Sequence, residues 1–304
     1  MLESTSVTTE RVPFQERQTW AQVHASANPV VGALPLIVVH GGPGMAHNYL
    51  KNLAALTSTG RTVILYDQLG CGNSTHLPDA AVDFWTPQLF IDEFHNLLSH
   101  FGISEYHLLG QSWGGMLGVE IAVARPAGLA SLSLCNAPAS MPLWVEAANE
   151  LRAQLPQETQ DALSRHEADG TLDDPEYLAA TMEFYERHVC RIVPTPEDFR
   201  ESEAQMEAEP TVYHTMIGPN EFHILGTLRE WSIIDRLDQI TAPTLVVAGE
   251  FDEATPATWA PFIDRIPDVT SHVFPGASHC SHLEQPEAFR AVVSSFMTQF
   301  DQQD

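Results

Sequence analysis

The sequence predicts an α/β fold: a mostly parallel central sheet with flanking helices and an inserted helical cap. Three observations predict it. Short apolar runs rich in β-branched residues recur between helix-compatible stretches. Each run ends near a Gly, Pro, Asn or Asp. One long stretch, from Ala137 to Ile234, contains no such run.

In chain order, Val7 to His24 alternates in character and predicts a leading antiparallel hairpin. Central strands are predicted at Leu36–His40, Thr62–Tyr66, Tyr106–Leu109, Leu132–Cys135, Leu245–Ala248 and His272–Phe274. The stretch between the fourth and fifth of these is rich in Glu, Ala, Gln, Met and Leu, which favour helices. Its prolines, at Pro142, Pro156, Pro175, Pro194, Pro196, Pro210 and Pro219, divide it into several short ones. Residues 1–136 and 235–304 are therefore expected to form the core, and residues 137–234 the cap.

Composition limits the function classes. With 44% hydrophobic and 18% charged residues among 304, the chain reads as globular and large enough for a sizeable core. Forty acidic against 14 basic residues give a formal net charge of -26. That field repels phosphate backbones and anionic lipid, so neither nucleic acid nor a membrane is an expected partner. It also favours substrates bearing an amine, although solubility alone accounts for it. No apolar run is long enough to span a bilayer, and Met1–Phe14 has no apolar core of a secretory signal. Cys71, Cys135, Cys190 and Cys280 have neither metal-ligand spacing nor the density of a disulfide framework. The expected setting is reducing and cytoplasmic.

The strongest local signal is Gly110-Gln111-Ser112-Trp113-Gly114-Gly115, which follows the strand Tyr106–Leu109 and precedes a helix-compatible run, Met116–Ala124. This is the context of a nucleophile elbow: a serine on a tight strand-to-helix turn, with glycines allowing close backbone approach. A serine hydroxyl needs a base, and the base an orienting acid, in the order serine, acid, histidine. Asp252 follows the strand Leu245–Ala248, and His279 follows His272–Phe274, so each candidate lies past the carboxyl end of a strand. Glu250 and Glu253 compete with Asp252, and His282 competes with His279. Strand-end position favours Asp252 and His279.

A second oxyanion donor is expected from His40-Gly41-Gly42-Pro43-Gly44, after Leu36–Val39. Glycines let backbone N–H groups face a substrate, so Gly42 and Trp113 are the expected donors and His40 is a packing residue. Asp67–Ser74 is Gly-rich but lacks phosphate-loop spacing and reads as a structural loop.

Taken together, these segments resemble the proline iminopeptidase family of α/β-hydrolases, in the branch that includes tricorn-associated aminopeptidases. The resemblance is carried by His40–Gly44, Asp67–Ser74, Gly110–Gly115, Gly218-Pro219-Asn220-Glu221-Phe222, Gly249–Thr255 and His279–Glu284. It implies a serine hydrolase releasing an N-terminal residue, proline or another apolar one, from peptides or amino-acid amides. It also implies acidic side chains that hold the substrate's free amine, at Glu221 and Glu253. A buried ammonium needs such partners. No metal or organic cofactor is expected. The same motifs fit an esterase, amide hydrolase or lactonase with a neutral pocket, and a ligand-sensing homologue without turnover.

Overall fold

The computed structural model describes residues 6–302. Met1–Thr5 and the last two residues, which fall within the predicted core and, for the former, within the stretch read for a signal, lie outside the described residues.

The sheet has eight strands in the order β1-β2-β4-β3-β5-β6-β7-β8. They are β1 (Ser6–Phe14), β2 (Arg17–Ala25), β3 (Leu36–Val39), β4 (Val63–Asp67), β5 (Tyr106–Gln111), β6 (Leu129–Cys135), β7 (Thr244–Gly249) and β8 (Val269–Phe274). The leading hairpin β1–β2 is antiparallel from Ser6↔Ala25 to Phe14↔Arg17, turning at Gln15 with φ 54°. β2 meets β4 antiparallel, and every later pairing is parallel. Strand ends differ from the predicted ones by a few residues. His40 and Thr62, for instance, fall just outside β3 and β4.

The near-continuous apolar runs follow from burial on both faces. Alternate side chains feed two separate layers of core. Ile37, Val39, Ile64, Tyr66, Leu132 and Leu134 join one layer with Phe90, Phe94 and Leu97 of α1 (Pro87–His100) and Met116 and Val119 of α2 (Trp113–Val123). Leu36, Val38, Val63, Leu65, Leu245 and Val247 join the other.

Between β6 and β7 lie α3 (Met141–Arg152), α4 (Gln157–Asp169), α5 (Pro175–His188), α6 (Glu197–Ala208) and α7 (Thr211–Met216). The prolines punctuate them as local sterics demand. Pro142 and Pro175 sit in the first turns of α3 and α5, and Pro156, Pro196 and Pro210 are the caps before α4, α6 and α7. Ala148, Leu163, Tyr177, Phe184 and Phe222 form a small apolar cluster of their own there. α8 (Pro256–Arg265) follows β7. Beyond β8 come the short α9 (Ser281–Glu284) and α10 (Pro286–Met297), whose Phe289, Val293 and Phe296 pack into the second layer. Among the described residues, no helix is long and apolar enough to cross a membrane, and all four cysteines are buried and free.

Candidate active site

β5 reverses into α2 through a single residue. Ser112 takes φ 55° and ψ -122°, a region that L-residues enter only at a cost. A Cβ on Gly110 would lie 2.0 Å from Gly114 O, and one on Gly114 would lie 2.1 Å from Val39 O. Both obstacles are backbone, so both positions require glycine. Ser112 N–H donates to Cys135 O at 2.9 Å, tying the elbow to the end of β6.

Trp113 opens α2, and the first N–H groups of a helix have no intrahelical acceptor, which suits an oxyanion donor. Its indole faces the core and donates from Nε1 to Gln68 Oε1 at 2.9 Å. Gly42 sits at φ 109° in the loop after β3. His40 fixes that loop. The backbone N–H of Gln68 must donate, so His40 Nε2 accepts it at 2.9 Å, and the protonated Nδ1 donates to Gly41 O at 2.9 Å. Burial pushes the imidazole down to about 4, outweighing the opposing pull of Asp67, which keeps it neutral. Gln68 Nε2 donates to His40 O at 2.9 Å. The loop expected to be structural thus braces both oxyanion candidates.

On the other side of the cavity, His279 Nδ1 lies 2.8 Å from Asp252 Oδ1. The Asp252 carboxylate is saturated with donors. Ala254 N–H reaches Oδ1 at 2.8 Å, while Asn136 Nδ2 and Gly249 N–H reach Oδ2 at 2.5 and 3.3 Å. Two of the three rivals, Glu250 and His282, are engaged elsewhere. Glu250 is exposed and accepts from Gly276 N–H at 2.8 Å. His282 is buried, held at about 3 chiefly by burial, and its Nε2 donates to Tyr49 O at 3.1 Å.

Gly42, Ser112, Glu221, Glu253 and His279 line one cavity. Among the described residues there is no direct hydrogen bond between the Ser112 and His279 side chains. Such contacts often tighten only when substrate is present. Glu253 is 1% exposed, and neither of its carboxylate oxygens has a hydrogen-bond partner among the described residues. Its Oε1 lies 3.8 Å from His279 Nε2. Burial, then the charges of Glu221 and Asp252, push its carboxyl well above the ordinary range. Glu221 is raised too, mainly by burial, and accepts from Tyr213 Oη at 2.7 Å.

Several residues at the site escaped the sequence reading. Asn136, at φ 53° after β6, carries Asp252. Its place just past a strand end was the one available signal. Trp144 stands edge-on to His279, with ring centroids 5.7 Å apart, and its Nε1 donates to Glu221 O at 2.6 Å. Glu203 of α6 is a third acid lining the cavity, pushed up to about 7 by burial and then Glu207. The end of α5 also touches the two loops that carry Asp252 and His279. His188 O accepts from Glu253 N–H at 3.3 Å and His279 N–H at 3.1 Å, and Val189 O accepts from Cys280 N–H at 2.9 Å.

The family described as alpha/beta hydrolase fold matches residues 35–286. The chain is 33% identical over 298 residues to a proline iminopeptidase of Lactobacillus delbrueckii subsp. lactis, spanning 97% of this chain and 99% of that one. The crystal structure of a proline iminopeptidase from Mycobacterium smegmatis superposes with a TM-score of 0.93 at 68% identity, over 97% of this chain and 99% of its own. That of VinJ superposes with a TM-score of 0.93 at 49% identity, over 98% and 100%. Since these matches run nearly end to end, the chain belongs to the proline iminopeptidase family of α/β-hydrolases and is an enzyme, a serine hydrolase.

Proposed function

We propose that the protein releases the N-terminal residue, proline or another apolar one, from peptides or amino-acid amides through an acyl-enzyme on Ser112. The observation that carries this reading is Glu253: a buried carboxyl group without a hydrogen-bond partner, beside Glu221 and facing the nucleophile's cavity. A buried carboxylate without a donor is costly, and a substrate ammonium supplies the positive charge that suits both glutamates and the donors that Glu253 lacks. An esterase acting on neutral substrates would leave that cost unmet.

In this mechanism His279 takes the proton from Ser112, which attacks the carbonyl of the N-terminal residue. Asp252 holds the imidazole with Nδ1 protonated and stabilises the imidazolium. The N–H groups of Gly42 and Trp113 receive the oxyanion. His279 then protonates the leaving amine, and water, activated by the same base, hydrolyses the ester. The helical segment 137–234 serves as a cap that supplies Glu221 and closes the cavity above Ser112. A reducing, cytoplasmic location suits the four free buried cysteines.

The test is a panel of Pro, Ala, Leu and Phe anilides with free or N-acetylated amines, alongside simple esters. Glu221→Gln is expected to weaken kcat/KM for free-amine substrates by on the order of 2–5 kcal/mol while sparing neutral esters. N-acetylation should do the same from the substrate's side. The ratio of free-amine to ester turnover cancels the titration of the base. It should fall with decreasing pH, with a midpoint above the ordinary glutamate value of about 4.3, because a protonated Glu253 cannot pair with the ammonium and its carboxyl is raised. Equal activity on capped and free amines would remove the amine role and leave an esterase.

A further inference from the structure

Tyr49 belongs to the 3-10 segment His47–Thr59 that follows the oxyanion loop, and it is 2% exposed. Its hydroxyl accepts from Gly41 N–H at 2.7 Å and donates to Gln111 Oε1 at 2.5 Å. Gln111 Nε2 donates in turn to His279 O at 3.2 Å. These residues are neighbours of the reacting groups in sequence: Gly41 precedes Gly42, Gln111 precedes Ser112, and His279 is the base itself. One run of hydrogen bonds therefore touches the oxyanion loop, the elbow and the base loop.

The direction of each bond is determined. A backbone N–H only donates, so the phenol oxygen accepts at Gly41. Its single proton is left for Gln111 Oε1, which turns the Gln111 NH₂ toward His279 O. Burial raises the phenol well above its ordinary range, so that proton stays in place. Gly41 is then held on both sides, its N–H by Tyr49 and its carbonyl by His40 Nδ1. Gly41 O and Gly42 N–H share one peptide plane, so fixing Gly41 fixes where the Gly42 N–H points. The packing has no slack. A Cβ at Gly41 would lie 2.8 Å from both Tyr49 Oη and Gln111 Oε1, and 3.0 Å from Ser112 Cβ. Tyr49 is itself anchored, with its carbonyl held by His282 Nε2 and its N–H donating to Ser202 Oγ at 3.3 Å.

We propose that Tyr49 is a positioning residue for acyl transfer: through Gly41 and Gln111 it holds the Gly42 donor in fixed relation to Ser112 and to the backbone of His279. The inference rests on the acyl-enzyme reading above. Oxyanion donors act only when aimed at the site of developing charge, so a loosened Gly41 costs the transition state more than the bound substrate.

Tyr49→Phe removes the hydroxyl and leaves the ring. The expected result is a kcat lower by roughly 10- to 100-fold with KM unchanged, as for a buried N–H left without its acceptor. Affinity for a prolyl boronic acid, whose tetrahedral adduct places an oxygen at the oxyanion position, should fall by the same factor. A merely structural role would lower the melting temperature without moving boronate affinity or kcat per folded molecule, and that outcome overturns the proposal. If Tyr49→Phe does not fold, Gln111→Met cuts the link to the elbow and base loop while keeping the Gly41–Tyr49 bond. Wild-type boronate affinity in that variant also overturns it. The two readings fail separately. Activity retained by Ser112→Ala refutes the acyl-enzyme, whereas an inert Ser112→Ala beside a wild-type Tyr49→Phe refutes only the positioning role.

Discussion

Ser112→Ala is expected to lower kcat by roughly 10⁵- to 10⁶-fold, because a triad acts as a unit and what remains comes from binding and the oxyanion donors alone. The protein should stay folded. The Ser112 side chain makes no hydrogen bond among the described residues, and the left-handed turn is imposed by Gly110, Gly114 and the Ser112 N–H bond to Cys135 O. Purified variant and wild type would be compared by turnover of the best free-amine substrate and by labelling with a fluorophosphonate. Loss of labelling together with turnover is the expected pair. Turnover above about one hundredth of wild type in protein free of contaminating peptidase would remove Ser112 from the mechanism.

Asp252→Asn is expected to cost about 10⁴-fold in kcat, since the amide cannot hold the imidazole in the required tautomer. The structure adds a second penalty. Oδ1 accepts from Ala254 N–H and faces His279 Nδ1, while Oδ2 accepts from Asn136 Nδ2 and Gly249 N–H. Wherever an amide NH₂ is placed, it confronts another donor, so stability should fall as well, by about 1–3 kcal/mol. Glu250→Gln is the matched control, because that acid is exposed and far from this network in its bonding. The check is kcat/KM and thermal melts on all three proteins. An Asp252→Asn variant that turned over like the Glu250→Gln one would mean that His279 is oriented by something else.

How far the sequence led depends on how local each feature is. The strands were legible because parallel strands buried on both faces are apolar without interruption, as Leu36–Val39 and the run from Leu245 to Gly249 are. The elbow was legible because its glycines and serine stand together in sequence and the clash that demands Gly110, against Gly114 O, arises within four residues; the clash that demands Gly114 comes from Val39 on a neighbouring strand. The proline-divided helices were legible for the same reason. Strand ends were less so, since a side chain at a strand's edge gives little signal of where pairing stops. What stayed hidden depends on contacts far apart in the chain. Nothing near Tyr49 announces that its hydroxyl meets Gln111, 62 residues on, nor does anything near Asn136 point to Asp252, 116 residues on. Glu203 reads as one more acid on an acidic helix until the fold turns it toward the cavity.

The carbonyls at the end of α5 carry a consequence for how this enzyme's parts can vary. The last carbonyls of a helix need outside donors. Here those donors are the N–H groups of Glu253, His279 and Cys280, so the acid and base loops terminate the helix, and the helix in turn holds the loops. The helical segment proposed as a cap is therefore not interchangeable as a unit. A graft that exchanged residues 137–234 for a cap of different specificity would also replace the acceptors for His279 and Glu253. Selectivity and turnover would change together, and a transplanted cap that keeps the rate must bring its own two carbonyls to the places of His188 O and Val189 O.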